Sequence, residues 1–169
     1  TFTPVPNSNI LVVGQRNGII YSFQNDEAVS GKNLLADLSD EVGIVWDGGF
    51  LGLAVHPEFG QPGKNYMYVW YTTKDAQGRH YPNSFLSGFG CNLEDYWGSF
   101  LVLKRIEVNP NSYQMVPGSD LTMMKMRMYG STHRGGGMVF GDDGFLYIAT
   151  ADQCAYSKPQ DIVGNLDGG

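Results

Sequence analysis

The sequence contains no apolar run that approaches the roughly 20 residues needed to cross a lipid bilayer, so we expect no membrane span. The first residues also lack the basic and then apolar pattern of a signal peptide. A mature, already processed chain would look the same, so the missing pattern does not argue against secretion.

Basic residues and cysteines are both scarce. Eleven Lys and Arg residues stand against 17 Asp and Glu residues, which gives a net charge of -6. A nucleic-acid partner would need a basic face, so we expect none. The two cysteines, Cys91 and Cys154, fit no metal-ligand spacing. They either form one disulfide in an oxidising compartment or remain buried thiols.

Helical periodicity is nearly absent, and the short apolar runs are rich in Val, Ile, Tyr and Phe and bounded by Gly, Asn, Asp or Pro. This pattern predicts strands. The expected strands cover 10–15, 18–23, 51–57, 66–73, 99–108, 137–141 and 145–151, with weaker candidates at 33–39 and 121–126. The stretch 74–98 has no strand pattern and is predicted to be a long inserted loop, which in many proteins serves function.

Two segments repeat one plan about 80 residues apart. "LGLAVHPEFGQPGKNYMYVWYTT" and "GMVFGDDGFLYIAT" each have an apolar strand, a turn, and an aromatic-rich strand that ends in Thr, with Tyr68 and Tyr147 at matching places. Recurrence of a strand-rich unit at this spacing suggests blades of a β-propeller. The 169 residues suffice for about two blades, whereas propellers have four to eight. We therefore expect residues 1–169 to be a partial propeller domain, with further blades from the same or another chain.

The same segments resemble a known family. "VWDGGFLGLAVHPEFGQPGKNYMYVWYTT" and "THRGGGMVFGDDGFLYIATADQ" are similar, in this order, to two motifs of the soluble quinoprotein sugar dehydrogenases, the glucose/sorbosone dehydrogenase family. "NILVVGQRNGIIYSF", "LLADLSDEVG" and "QDIVGNLDGG" fit the neighbouring stretches. The resemblance implies an all-β fold that is part, about two blades, of a six-bladed β-propeller.

The resemblance also implies a pyrroloquinoline quinone (PQQ) site near the propeller axis, with Ca²⁺ holding the cofactor. The family's catalytic base corresponds to His133, and its acidic position after the second strand corresponds to Asp152. Imidazole accepts protons near neutral pH, so His133 could take the C1 hydroxyl proton of a sugar as hydride leaves for the quinone. Gly135, Gly136 and Gly137 either let the chain enter a crowded strand or clear space for the flat cofactor.

Three further residues are candidate cofactor contacts: Asp47, Arg134 and Gln153. Asp47 occupies the acidic position of the first motif, although turn formation explains it equally well. Arg134 departs from the small or amide residue that is frequent in the family, and Ala151 replaces a glycine. The resemblance assigns most calcium ligands to later blades, so the metal-ligating residues are unknown.

Other polar and sulfur-containing residues have structural explanations. His56 is expected to end a packed strand, and His80 lies in the long loop. The "GDDG" at 141–144 is expected to form a hairpin turn and not to bind calcium. The methionines of 123–128 are expected to pack an outer strand.

The sequence therefore predicts part of a secreted or periplasmic, PQQ- and calcium-dependent dehydrogenase that oxidises an aldose at C1 and passes electrons to an acceptor. A non-catalytic interaction propeller of the same shape is the alternative, suggested by the aromatic loop 74–98 and by Arg134. A structural β-domain without either activity is a third possibility, since function does not follow from fold.

Overall fold

The computed structural model describes residues 1–44, 47–74, 78, 99–128 and 132–153 of the chain. Regular structure in this part of the chain consists of ten strands. These are β1 (Phe2–Pro4), β2 (Ile10–Gly14), β3 (Ile19–Gln24), β4 (Asn33–Asp37), β5 (Phe50–Val55), β6 (Tyr66–Thr72), β7 (Phe100–Glu107), β8 (Leu121–Arg127), β9 (Gly137–Phe140) and β10 (Leu146–Ala149).

The strands form two four-stranded antiparallel sheets and a hairpin. The first sheet has the order β1-β2-β3-β4, the second has the order β5-β6-β7-β8, and β9 pairs with β10. Strand β5 contacts β1 on one side and β9 on the other. Each sheet is thus a meander whose first strand lies beside the first strand of its neighbours, as in successive propeller blades.

The predicted strands are confirmed, and one strand was missed. Strand β1 has only three residues and contains a proline, so it carries no alternation that a pattern could detect. The expected loop 74–98 lies almost wholly outside the described residues, as do His80, Cys91 and Cys154. No helix in the described ranges is long and apolar enough to cross a membrane.

The inner strands of the second sheet are buried on both faces, as β6 illustrates, whereas β8 is mostly exposed. Met67, Val69 and Tyr71 belong to one apolar cluster, together with Val12 and Ile20 of the first sheet. Successive side chains of a strand point to opposite faces. Accordingly Trp70 belongs to a second cluster, which also contains Leu101 and the buried Met126 and Met128; Met138, Leu146 and Ile148 of the hairpin pack against it. The methionines of β8 therefore pack the outer strand, as expected, although Met123 is half exposed.

A buried lysine joins the two sheets. Lys104 of β7 is almost fully buried, and its Nζ lies 2.7 Å from both Glu41 carboxylate oxygens and 2.9 Å from Asp120 Oδ2. The Tyr71 hydroxyl donates to Glu41 Oε2 at 2.7 Å. Burial alone lowers the pKa of Lys104, but the hydrogen bonds and charges of Glu41 and Asp120 raise it above its usual value. Lys104 therefore stays charged, and Glu41 connects the end of the first sheet to the second.

We expect Glu41→Gln to lower the free energy of unfolding by about 1–2 kcal/mol, because Lys104 loses its closest charged partner. We expect a loss smaller than for a fully buried ion pair, because the Glu41 side chain is about half exposed and solvent screens the interaction. Urea denaturation of the full-length protein measures it. Glu58→Gln is the matched control, since its bond to Lys64 is an exposed ion pair and should change stability by less than about 0.5 kcal/mol. Equal losses in the two variants would contradict the bridging role of Glu41.

Candidate active site

His133 and Asp152 form a hydrogen-bonded pair at the open end of the hairpin. Strands β9 and β10 are antiparallel, so the residues before β9 and after β10 lie side by side. The Gln153 amide donates to the His133 carbonyl at 3.0 Å, and His133 Nδ1 lies 2.9 Å from Asp152 Oδ1. The side chain of His133 is 45% exposed and that of Asp152 is 29% exposed.

This pair has the arrangement of an oriented base. An ionised carboxylate only accepts hydrogen bonds, so Asp152 requires the proton of the neutral imidazole to be on Nδ1. Nε2 is then the ring nitrogen that can accept a proton, and the carboxylate stabilises the imidazolium that results. With nearly half of its side chain exposed, His133 is accessible to a ligand.

Asp47, in the turn before β5, contacts the His133–Asp152 pair. It precedes β5 and lies 86 positions before His133, yet its Oδ2 accepts a 2.6 Å hydrogen bond from the His133 amide. Its other oxygen, Oδ1, is 3.6 Å from Nε of Arg134, whose side chain is only 1% exposed. One carboxylate thus contacts both the backbone of the histidine and the cation that follows it.

Gln153 completes the group of five predicted site residues. Gln153 is fully buried. Its backbone φ is 50°, and the φ of His133 is 60°. Left-handed backbone is uncommon in non-glycine residues and is enriched at functional sites. The structure therefore brings together His133, Asp152, Asp47, Arg134 and Gln153, which the sequence predicted from two separate motifs.

Two of the glycines after His133 lie directly against neighbouring main chain. Gly135 has a φ of 71°, and a β-carbon there would collide with the carbonyl of Ala149. Gly136 has a φ of 134°, and its β-carbon would lie 2.9 Å from the Leu51 carbonyl oxygen. Both positions face protein backbone, so these two glycines let the chain enter a crowded strand. For Gly135 and Gly136 the structure thus favours the first of the two predicted explanations, entry into a crowded strand, and the second, space for a cofactor, stays a prediction.

His56 and the 141–144 segment form turns outside this group. The Glu58 amide donates to His56 Nδ1 at 3.1 Å, and burial, followed by the charge of Lys64, lowers the pKa of His56. Asp143 accepts from the Phe145 amide and from the Tyr147 hydroxyl within the hairpin turn. These residues are placed as the sequence predicted.

A family model described as glucose / sorbosone dehydrogenase matches residues 1–168. The chain belongs to this family. Its structure is also similar to that of a glucose dehydrogenase, with a TM-score of 0.63 at 17% identity over 90% of this chain and 37% of the other. The soluble aldose sugar dehydrogenase of Escherichia coli, in its apo-form, gives a TM-score of 0.60 at 18% identity over 88% of this chain and 36% of that one.

The similarity to these dehydrogenases supports the predicted fold. At such identities it shows the fold alone, and the fold is the predicted partial β-propeller. The chain spans somewhat more than a third of the length of the dehydrogenases that it matches.

The described part of this family member has no metal-binding group. No cluster of three or more His, Cys, Asp or Glu side chains that could hold a metal ion occurs among the described residues. Two surface hollows of about 460 and 480 Å³ lie along the turn from Pro57 to Lys64, and none of the five site residues lines either one. Neither of these two hollows therefore adjoins the His133–Asp152 pair.

Two residues near Asp47 were missed by sequence reasoning. Nε of Arg16, in the turn between β2 and β3, donates to the Gly48 carbonyl at 2.9 Å. Thr72, the last residue of β6, is fully buried and bonds to both Gly43 and Gly49. The only sequence signal was that both repeated segments end in Thr, which does not indicate what the hydroxyl contacts.

Proposed function

We propose that the full-length protein oxidises an aldose at C1 with PQQ as hydride acceptor, with His133 as general base. The hydrogen bond of 2.9 Å between His133 Nδ1 and Asp152 Oδ1 carries the proposal, because it leaves Nε2 as the proton acceptor. Membership of the glucose/sorbosone dehydrogenase family supplies the reaction class.

The residues of this chain have separate tasks in the proposed reaction. PQQ, when bound, would supply the hydride-accepting and electron-carrying chemistry. His133 removes the proton of the C1 hydroxyl group, and Asp152 stabilises the resulting imidazolium. Loss of one hydride and one proton converts the cyclic aldose into its lactone.

The other three residues support the base from behind. The Arg134 guanidinium is only 1% exposed, so in the proposed reaction it would add positive potential next to the base and would not bind the PQQ carboxylates directly. Asp47 fixes the backbone of the base, and Gln153 bonds to its carbonyl. Calcium belongs to the proposal through the family resemblance, which assigns most of its ligands to later blades. A secreted or periplasmic location belongs to it on the same ground.

Absorbance titration of the full-length protein with PQQ in the presence of Ca²⁺ tests the proposal. We expect saturable uptake near one PQQ per chain, followed by aldose-dependent reduction of an artificial electron acceptor. Chelation of Ca²⁺ before the titration should lower the uptake. If PQQ is not taken up at any Ca²⁺ concentration, the redox proposal is wrong and the non-catalytic interaction propeller takes its place.

A further inference from the structure

The buried residue Thr72 bonds to Gly43 and to Gly49, which lie on either side of Asp47 in the sequence. The Thr72 carbonyl accepts from the Gly43 amide at 2.8 Å, and the Thr72 amide donates to the Gly49 carbonyl at 3.0 Å. The Thr72 hydroxyl adds two further bonds, donating to the Gly43 carbonyl at 2.6 Å and accepting from the Gly49 amide at 2.8 Å. Thr72 thus contacts both ends of the segment that leads from the first sheet to β5.

The backbone at Gly43 packs closely against the backbone at the end of β6. A β-carbon at Gly43 would collide with the carbonyl group of Thr73, so the segment lies directly against the end of β6. Thr72 has no exposed surface, so water cannot replace its hydroxyl bonds without local opening. Asp47 lies between Gly43 and Gly49 in the sequence, and its carboxylate accepts a hydrogen bond from the amide of His133, which precedes the hairpin.

We propose that Thr72 is a positioning residue, whose hydroxyl group fixes Gly43 and Gly49 on either side of Asp47 and thereby holds the Asp47 carboxylate against the His133 amide. The chain of contacts runs from the Thr72 hydroxyl to Gly49, to Asp47 and then to His133. Its effect on catalysis rests on the function proposed above, whereas its effect on the His133 backbone does not.

Thr72→Val tests the proposal because valine keeps the shape of the side chain and removes both hydroxyl bonds. Amide hydrogen exchange of the PQQ-free full-length protein, followed by NMR, reports on the bond between the His133 amide and Asp47. We expect exchange at His133 to accelerate about tenfold, because the variant loses two hydrogen bonds next to Asp47. Exchange at Val69 and Leu103, in the cores of β6 and β7, should change less than about twofold.

Thr72→Ser is the matched control, since serine retains the hydroxyl and should keep His133 exchange within about threefold of the wild-type rate. A Thr72→Val effect shared by Thr72→Ser, or equal at Val69, would overturn the proposal, because it would indicate general loosening. If the valine variant does not fold, Thr72→Ala removes the same hydroxyl without an added methyl group. Unchanged His133 exchange in that variant would overturn the proposal equally.

Steady-state kinetics with PQQ and aldose separates this inference from the proposed function. We expect Thr72→Val to lower kcat about tenfold with KM within about threefold, because a displaced base affects the chemical step more than binding. Faster His133 exchange in a protein whose wild type does not oxidise aldoses would support the positioning role and refute the function. Normal kcat and unchanged exchange in Thr72→Val would refute the positioning role and leave the function standing.

Discussion

Replacing His133 with alanine lowers the rate at which aldose reduces the bound quinone by at least about a hundredfold, if His133 is the general base. General-base catalysis contributes about 10²–10⁴-fold, and no other described histidine lies in the site. Stopped-flow absorbance in a single turnover measures this step, since it excludes the later transfer of electrons to the acceptor. The affinity for PQQ should stay within about threefold of wild type.

His56→Ala is the matched control for this substitution. His56 is bonded within a turn and does not belong to the five-residue site, so its loss should change the single-turnover rate by less than about twofold. An unchanged rate in His133→Ala would remove His133 from the mechanism. Equal reductions in both variants would show that the effect comes from lost stability.

Gly136→Ala should lower the free energy of unfolding by about 2–4 kcal/mol. An alanine there would combine a backbone φ of 134° with a β-carbon 2.9 Å from the Leu51 carbonyl oxygen. Strained backbone costs about 1–3 kcal/mol, and overpacking against backbone adds a similar amount. Gly136 precedes the hairpin and Leu51 lies in β5, so the clash should also weaken the contact between the hairpin and the second sheet. Urea denaturation of the full-length protein measures the change.

Gly137→Ala provides the comparison at the next position. A β-carbon at Gly137 would lie 3.5 Å from Ala149 Cβ, an ordinary contact, so stability should change by less than about 1 kcal/mol. If both variants have the same stability, the glycines are not required by close packing, and the ligand-clearance interpretation would have to be reconsidered.

The strand pattern was predictable where burial is periodic. In β6 the alternation of Met67 and Val69 with Tyr68 and Trp70 marks a strand, and its nearly continuous apolar run marks burial on both faces. Strand β1 was not predictable, because three residues cannot show a period. The blade architecture, in turn, was predicted from the repeat of the two strand–turn–strand segments and not from any single strand.

The sequence predicted which residues come together at this place, but not how they contact one another. The family resemblance selected His133 and Asp152, and antiparallel pairing of a predicted hairpin brings residues at its two ends together. Nothing in the sequence relates Asp47 to an amide 86 positions away, because that contact depends on how one sheet packs against the next hairpin. The bonds of Thr72 depend likewise on backbone placement, which residue type does not reveal.

The sequence could not decide between the two explanations of the glycines, for a physical reason. A glycine next to a catalytic residue can face a ligand or face the protein, and the sequence is the same in both cases. At Gly135 and Gly136 the left-handed backbone directs the missing side chains at neighbouring main chain. Sequence alone identifies a close approach there but cannot say what approaches.

A crystal structure of the full-length protein with reduced PQQ and an aldose would show whether His133 is placed to act as the base. We expect His133 Nε2 within roughly 2.6–3.2 Å of the C1 hydroxyl oxygen, with Nδ1 still bonded to Asp152. A sugar and quinone bound elsewhere, with no substrate hydroxyl within reach of His133, would contradict that role.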